Sequence, residues 1–134
     1  KLIKDFISLT KTDVTLGEGD PNNESPHSYF KLKYHSLGRR VLQAIAKELG
    51  LQPGTYDIRS NLGGTAVAGE VTLHGEHIYI VLHNHIGDGL DILYRSCKDR
   101  KDYTGGPNNW MRYGNLSNLQ QACVAFKQVM GGSL

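Results

Sequence analysis

The sequence predicts an α+β domain built on an antiparallel sheet of about four strands, and three observations carry that prediction. An apolar stripe at helical spacing runs from Leu37 to Leu49. Two alternating runs meet at a glycine-bearing turn near residue 75, and a second helical stripe runs from Leu119 to Met130. Helix, antiparallel strands, then helix is an α+β order. The 134 residues suffice for one core, so 1–134 is read as a single domain.

The first element is a short helix, since Leu2, Ile3, Phe6 and Ile7 recur at helical intervals. Residues 11–27 are polar and hold Gly17, Gly19, Pro21, Asn22, Asn23 and Pro26 without a period, which reads as a long polar loop. A helix near 36–49 follows, with an earlier start near Ser28 also open because Tyr29-Phe30-Lys31-Leu32 is compatible with either helix or strand. Leu37, Val41, Leu42, Ile45 and Leu49 form its core-facing stripe, with Ser36 as N-cap and Gly50, Leu51 and Pro53 as the stop. Thr55–Arg59 is a short strand.

The central hairpin, 66–83, joins 66–74 to 77–83 through Gly75-Glu76 read as a two-residue loop. That loop pairs Leu73 with Ile78 and Val71 with Ile80, an apolar face for the helix to cover. It leaves Glu70, Thr72, Tyr79 and His83 on the other face, with Glu70 across from Val81. His74 and His77 then flank the turn in solvent. A strand near 90–96 follows the glycine-rich loop 84–89, and a C-terminal helix near 118–130 carries Leu119, Cys123, Phe126 and Met130. Ser117 and Gln120 read as the capping box of that helix.

Composition excludes several classes. With 39% hydrophobic and 21% charged residues the chain is not of disordered type. No apolar run reaches the roughly 18–20 residues of a membrane span. Cys97 and Cys123 lie far apart with no CxxC spacing, which reads as two buried thiols in a cytoplasmic protein. The formal net charge of +2 hides two basic clusters. Tyr29–Arg40 holds Lys31, Lys33, Arg39 and Arg40 with no acid, and Arg95–Lys101 holds Arg95, Lys98, Arg100 and Lys101 against Asp99. Such clusters point to local anion-facing surfaces, while the mild total argues against a tight duplex binder.

Three constellations carry the chemistry. Alternation puts Glu70 and His83 on the sheet face away from the helices, and Arg95 joins them if its strand lies alongside in that sense. A carboxylate, an imidazole and a guanidinium on one surface suit metal-independent phosphoryl chemistry, with Glu70 and His83 as acid and base and Arg95 stabilising charge. The layout is similar, as architecture only, to that of small microbial ribonucleases. Arg39 and Arg40, read as first-turn residues of a helix capped by Ser36, fit an anion at its N-terminus. Tyr94 to Tyr103 interleaves aromatic residues with cations, the pattern that holds single strands, with Lys98, Lys101 and Tyr103 as contacts. Cationic neighbours of Cys97 are of the kind that lower a thiol pKa.

His83-Asn84-His85 lacks the spacing of a metal site, and the glycines lack the order of a phosphate loop, so neither metal nor cofactor is expected. The resulting expectation is a nucleic-acid-directed domain that binds single-stranded RNA or DNA or phosphate groups, with ribonuclease-like activity as an extension. The alternative is a non-catalytic module for a nucleotide-like ligand or a protein partner. No membrane partner is expected, and an exposed sheet edge is compatible with a dimer.

Overall fold

A computed structural model of the chain describes residues 2–10, 26–61, 70–83, 91–102 and 105–132. Three helices, α1 (Leu2–Thr10), α2 (Pro26–Glu48) and α3 (Leu119–Gly132), accompany five strands. These are β1 (Asp57–Asn61), β2 (Glu70–His74), β3 (Ile78–His83), β4 (Ile92–Ser96) and β5 (Asn109–Met111). The strands form one antiparallel meander in the order β1-β2-β3-β4-β5. The α+β class holds, with one strand more than predicted. Strand β5 escaped the sequence reading because three residues among Asn, Gly and Pro show no alternation to detect.

The helices cover one face of the sheet. Helix α2 lies on β1 and β2, α3 lies on β4, and α1 packs against α2 and the 3₁₀ turn Tyr113–Ser117. Between the layers sit Phe6, Tyr34, Val41, Leu42, Ile45 and Phe126 from the helical side. They meet Val71, Leu73, Ile78, Ile80, Leu82 and Ile92 from the strands, all fully buried. The stripe predicted from Leu37 to Ile45 is therefore the stripe that is buried, and burial of this apolar surface is the main force holding the layers together.

Two element boundaries differ from prediction. Helix α2 begins at Pro26, ten residues before Ser36, so the last two residues of the predicted loop 11–27 are helical and 11–25 lie outside the described residues. Proline suits a first helical position, where no N–H is needed. Tyr34, three residues before Leu37 and fully buried, continues the stripe backwards. The cap of α3 is Asn118 rather than Ser117: its Oδ1 accepts the Gln121 N–H at 3.1 Å. Ser117 is instead the last residue of the 3₁₀ turn.

The hairpin register also shifts. Gly75 N–H donates to the Ile78 carbonyl at 2.8 Å, so the loop is Glu76-His77 and not Gly75-Glu76. The polar pair makes the tip, with Glu76 exposed, while Gly75 and Ile78 are buried. Moving the loop by one residue moves each pairing by two, to Leu73 opposite Ile80, Val71 opposite Leu82 and Glu70 opposite His83. A two-residue shift keeps every side chain on its face, so the core face is as predicted and only the partners change. Residues 66–69 of the predicted first strand and the loop 84–89 lie outside the described residues.

Candidate functional site

The register builds a polar row across one end of the sheet, on the face turned away from the helices. Asn61 of β1 stands opposite Glu70 of β2, and Glu70 opposite His83 of β3. His83 N–H donates to the Asp91 carbonyl at 2.9 Å, which carries the β3–β4 pairing one residue past Leu82 and Ile92. Carrying the β4–β5 pairing one step past Ile92 and Met111 sets Arg112 beside Asp91. The row thus reads amide, carboxylate, imidazole, carboxylate, guanidinium.

Glu70 and His83 are in direct contact. Glu70 Oε2 lies 3.0 Å from His83 Nδ1, with the imidazole side chain 13% exposed and the carboxylate 43%. Directly opposed positions on neighbouring strands bring side chains this close. A carboxylate at Nδ1 fixes the orientation of the ring. His83 Nε2 is buried. Trp110 of β5, opposite Leu93 and on the same face, packs its ring 5.7 Å from the His83 ring while remaining 41% exposed.

Tyr113 ties the row to the core. Its backbone N–H donates to Asp91 Oδ2 at 2.9 Å, and its phenol donates to the His83 carbonyl. With that hydroxyl proton committed, Tyr34 donates to the Tyr113 oxygen across 3.1 Å. Burial pushes the pKa of both phenols up, so both stay neutral as these bonds require. A continuous set of contacts thereby runs from α2 through the 3₁₀ turn to the backbone of His83.

Arg95 shares this face but not this place. It stands opposite Tyr79, four residues along β3 from His83, which is about 13 Å of strand. Its guanidinium carbon lies 4.1 Å from the Tyr79 ring centre, and the residue is buried. The predicted trio of Glu70, His83 and Arg95 is therefore brought together only in its first two members. Around Arg95 the face is a packed structural cluster. His74, fully buried rather than in solvent, has Nε2 3.0 Å from the Asp99 carbonyl and Nδ1 3.2 Å from Arg59 Nη2. A carbonyl and a guanidinium as partners require a ring protonated at Nε2 and accepting at Nδ1. Desolvation accordingly holds the His74 pKa below its ordinary value.

The basic residues fall into separate places. Arg39 and Arg40 lie well inside α2 and not in its first turn, so the helix-terminus reading for an anion does not hold for them. Arg40 is exposed, and Arg39 donates to Ser60 Oγ at 3.2 Å near the end of β1. Lys98 and Lys101 are exposed on the turn after β4, at the other end of β1. There Arg100 is bound to Asp57 at 2.7 Å and to the Gly54 carbonyl at 2.8 Å. Asp102 and Asp99 shape that turn by accepting the Lys98 and Lys101 backbone N–H groups. Tyr103 lies outside the described residues. Burial pushes the Cys97 thiol up to about 11, the reverse of the activation its cationic neighbours suggested, and Cys97 donates to the Gly75 carbonyl at 3.3 Å. Cys123 is likewise a free, buried thiol.

Sequence reasoning did not place Asp91, Trp110 or Arg112 at the site, and it favoured a core edge for Trp110. No sequence signal marked the β5 segment as a strand; its extended backbone is what sets Trp110 and Arg112 on one side. Beyond Trp110 an open groove of about 530 Å3 runs between β5 and α3. Trp110, Tyr94, Asn115, Asn118, Gln121 and Ala125 are among its lining residues, and none of the lining residues carries a carboxylate, ammonium, guanidinium or imidazole. Among the described residues no group of three His, Cys, Asp or Glu side chains is placed to hold a metal ion, and no helix is long and apolar enough to cross a membrane. No protein-family model matches the chain, and neither the curated proteins nor the solved structures hold a match to it.

Proposed function

We propose that the chain binds single-stranded nucleic acid at the Trp110 edge of the sheet. The observation that carries this reading is an exposed indole on an edge strand, seated on an imidazole that Glu70 orients, with Arg112 two residues further on, just past the strand. Single strands are held by aromatic faces that stack bases and by cations that meet phosphates. Glu70 is held by His83 and Asp91 by the Tyr113 N–H, and Arg112 is the exposed cation beside them.

Binding rather than cleavage is the reading this geometry supports. A general base needs a nitrogen within reach of the substrate proton, and His83 presents Nδ1 to Glu70 and buries Nε2. The pair serves Trp110 as a rigid support, and Arg95, stacked on Tyr79, belongs to the packing of the other end.

The test is anisotropy of a labelled single-stranded oligonucleotide across a salt series. Trp110→Ala is expected to weaken binding by the roughly 1–3 kcal/mol that one base–aromatic stack contributes. Arg112→Gln should reduce the slope of log affinity against log salt by about 0.7, one phosphate contact on a single strand. The Arg39→Gln/Arg40→Gln double variant reports on the helix side. Should that variant lose binding while the Trp110 and Arg112 variants retain it, the contact surface is α2 and this assignment is wrong.

A further inference from the structure

We infer that the groove between β5 and α3 is a nucleobase pocket, an inference that rests on the reading of Trp110 as a single-strand contact and names what that contact selects. Trp110 both packs on His83 and is among the residues that line the groove, so the groove borders the surface read above as a single-strand contact. The volume of about 530 Å3 lies in the range of small-ligand sites.

The chemistry of the lining selects the class. A charged group placed there loses hydration and gains no countercharge, because no lining residue bears a formal charge at neutral pH. A base is uncharged, flat, and edged with both donors and acceptors. Asn115, Asn118 and Gln121 supply amides, each offering a donor and an acceptor, which is the complement of a base edge. Asn118 commits its Oδ1 to the Gln121 backbone N–H, which turns its NH₂ end outward from that bond. Arg112 follows Trp110 by two residues in extended backbone and so lies on the same side of that segment. The groove reads the base, and the row beside it meets the backbone.

The experiment separates the two readings by charge. Titrating the full chain with adenosine and uridine, and following the Trp110 indole N–H resonance, probes the groove without a phosphate. The expected result is a shift equal at low and high salt and absent with glucose, together with unchanged nucleoside binding in Arg112→Gln. Asn115→Ala/Gln121→Ala, at two exposed positions, should weaken nucleoside binding about tenfold, the worth of two amide hydrogen bonds. Ala125→Leu should do the same by occupying space, which keeps the test decisive if the double variant folds poorly. Oligonucleotide binding without any nucleoside shift overturns the pocket and leaves the Trp110–Arg112 surface standing. Nucleoside binding unchanged in both groove variants, or matched by glucose, also overturns it. Failure of oligonucleotides and nucleosides alike overturns both readings.

Discussion

Replacing Gly105 by alanine tests whether the turn after β4 is locked over Arg95. Gly105 has φ +53, and a Cβ added there lies 2.4 Å from the Ser96 carbonyl oxygen, 2.6 Å from Arg95 Nε and 2.9 Å from Arg95 Cδ. The left-handed conformation alone costs an L-residue about 1–2 kcal/mol. Contacts this short, one of them to backbone, require the turn to move. Movement stretches the bonds that seat it, Gly106 N–H to the Ser96 carbonyl and Gly105 N–H to Asp102 Oδ1, both 3.0 Å and each worth about 0.5–1.5 kcal/mol. The expected destabilisation is about 2–5 kcal/mol. Gly50 supplies the control, because its φ is +77 and an added Cβ meets nothing within 4 Å. Gly50→Ala should cost only the conformational term, about 1–2 kcal/mol. Urea unfolding of both variants beside the wild type measures the difference. If Gly105→Ala costs no more than Gly50→Ala, the turn is not seated on Arg95 and the packing of that end of the sheet has been misread.

Three further outcomes follow from the same geometry. The folded-state pKa of His74 lies below the unfolded value of about 6.5, so the unfolded chain takes up the proton first. Its contribution to stability is complete above about pH 6.5 and is lost as pH falls from there through the folded-state value. Denaturant midpoints measured between neutral and mildly acidic pH should show this fall, and His74→Gln should flatten it. Cys97 and Cys123, buried with thiol pKa values pushed up to about 11, should react slowly with a thiol reagent at mildly alkaline pH and quickly once denaturant is added; fast labelling of the folded chain would contradict the burial. Single-stranded RNA incubated with the chain in excess chelator should stay intact. Cleavage that His83→Ala abolishes would replace the binding reading with a catalytic one.

The core was legible because its signal is redundant. Leu37, Val41, Leu42 and Ile45 repeat at one helical spacing, and Val71, Leu73, Ile78, Ile80 and Leu82 at strand spacing, so each layer announces its buried face several times. Partner assignment within the sheet is not redundant. It hangs on one loop, and a glycine at position 75 draws the turn onto itself although the exposed Glu76 makes the tip. Parity survives that error and pairing does not, which is why Glu70 was placed on the correct face but opposite Val81. The start of α2 was set at Ser36, with Ser28 only as the alternative, for a related reason: Ser36 is a good cap in isolation, and nothing local says that a cap residue inside a longer helix is unused.

The candidate site depends on contacts that local pattern does not encode. Glu70 and His83 were chosen by type and face, and the sheet does bring them to 3.0 Å. Arg95 was chosen by the same rule, yet a strand has two ends as well as two faces, and alternation is silent about ends. Its position opposite Tyr79 puts it some 13 Å from His83. The guanidinium that stands in the row is Arg112, the residue that follows a strand too short to show a period. Strand β5 is held instead by what it reaches: Tyr113, immediately after it and the 112 position, binds Asp91 through its backbone and His83 through its phenol. A three-residue edge strand anchored by a buried tyrosine keeps Trp110 on the His83 ring while leaving the indole 41% exposed. Burying that indole in the groove would extend the core; leaving it half-open costs apolar surface in water, about 25 cal/mol for each Å2. A ligand that covers the indole recovers that cost, and this makes the Trp110 edge, more than either basic cluster, the place where a partner of this chain is to be sought.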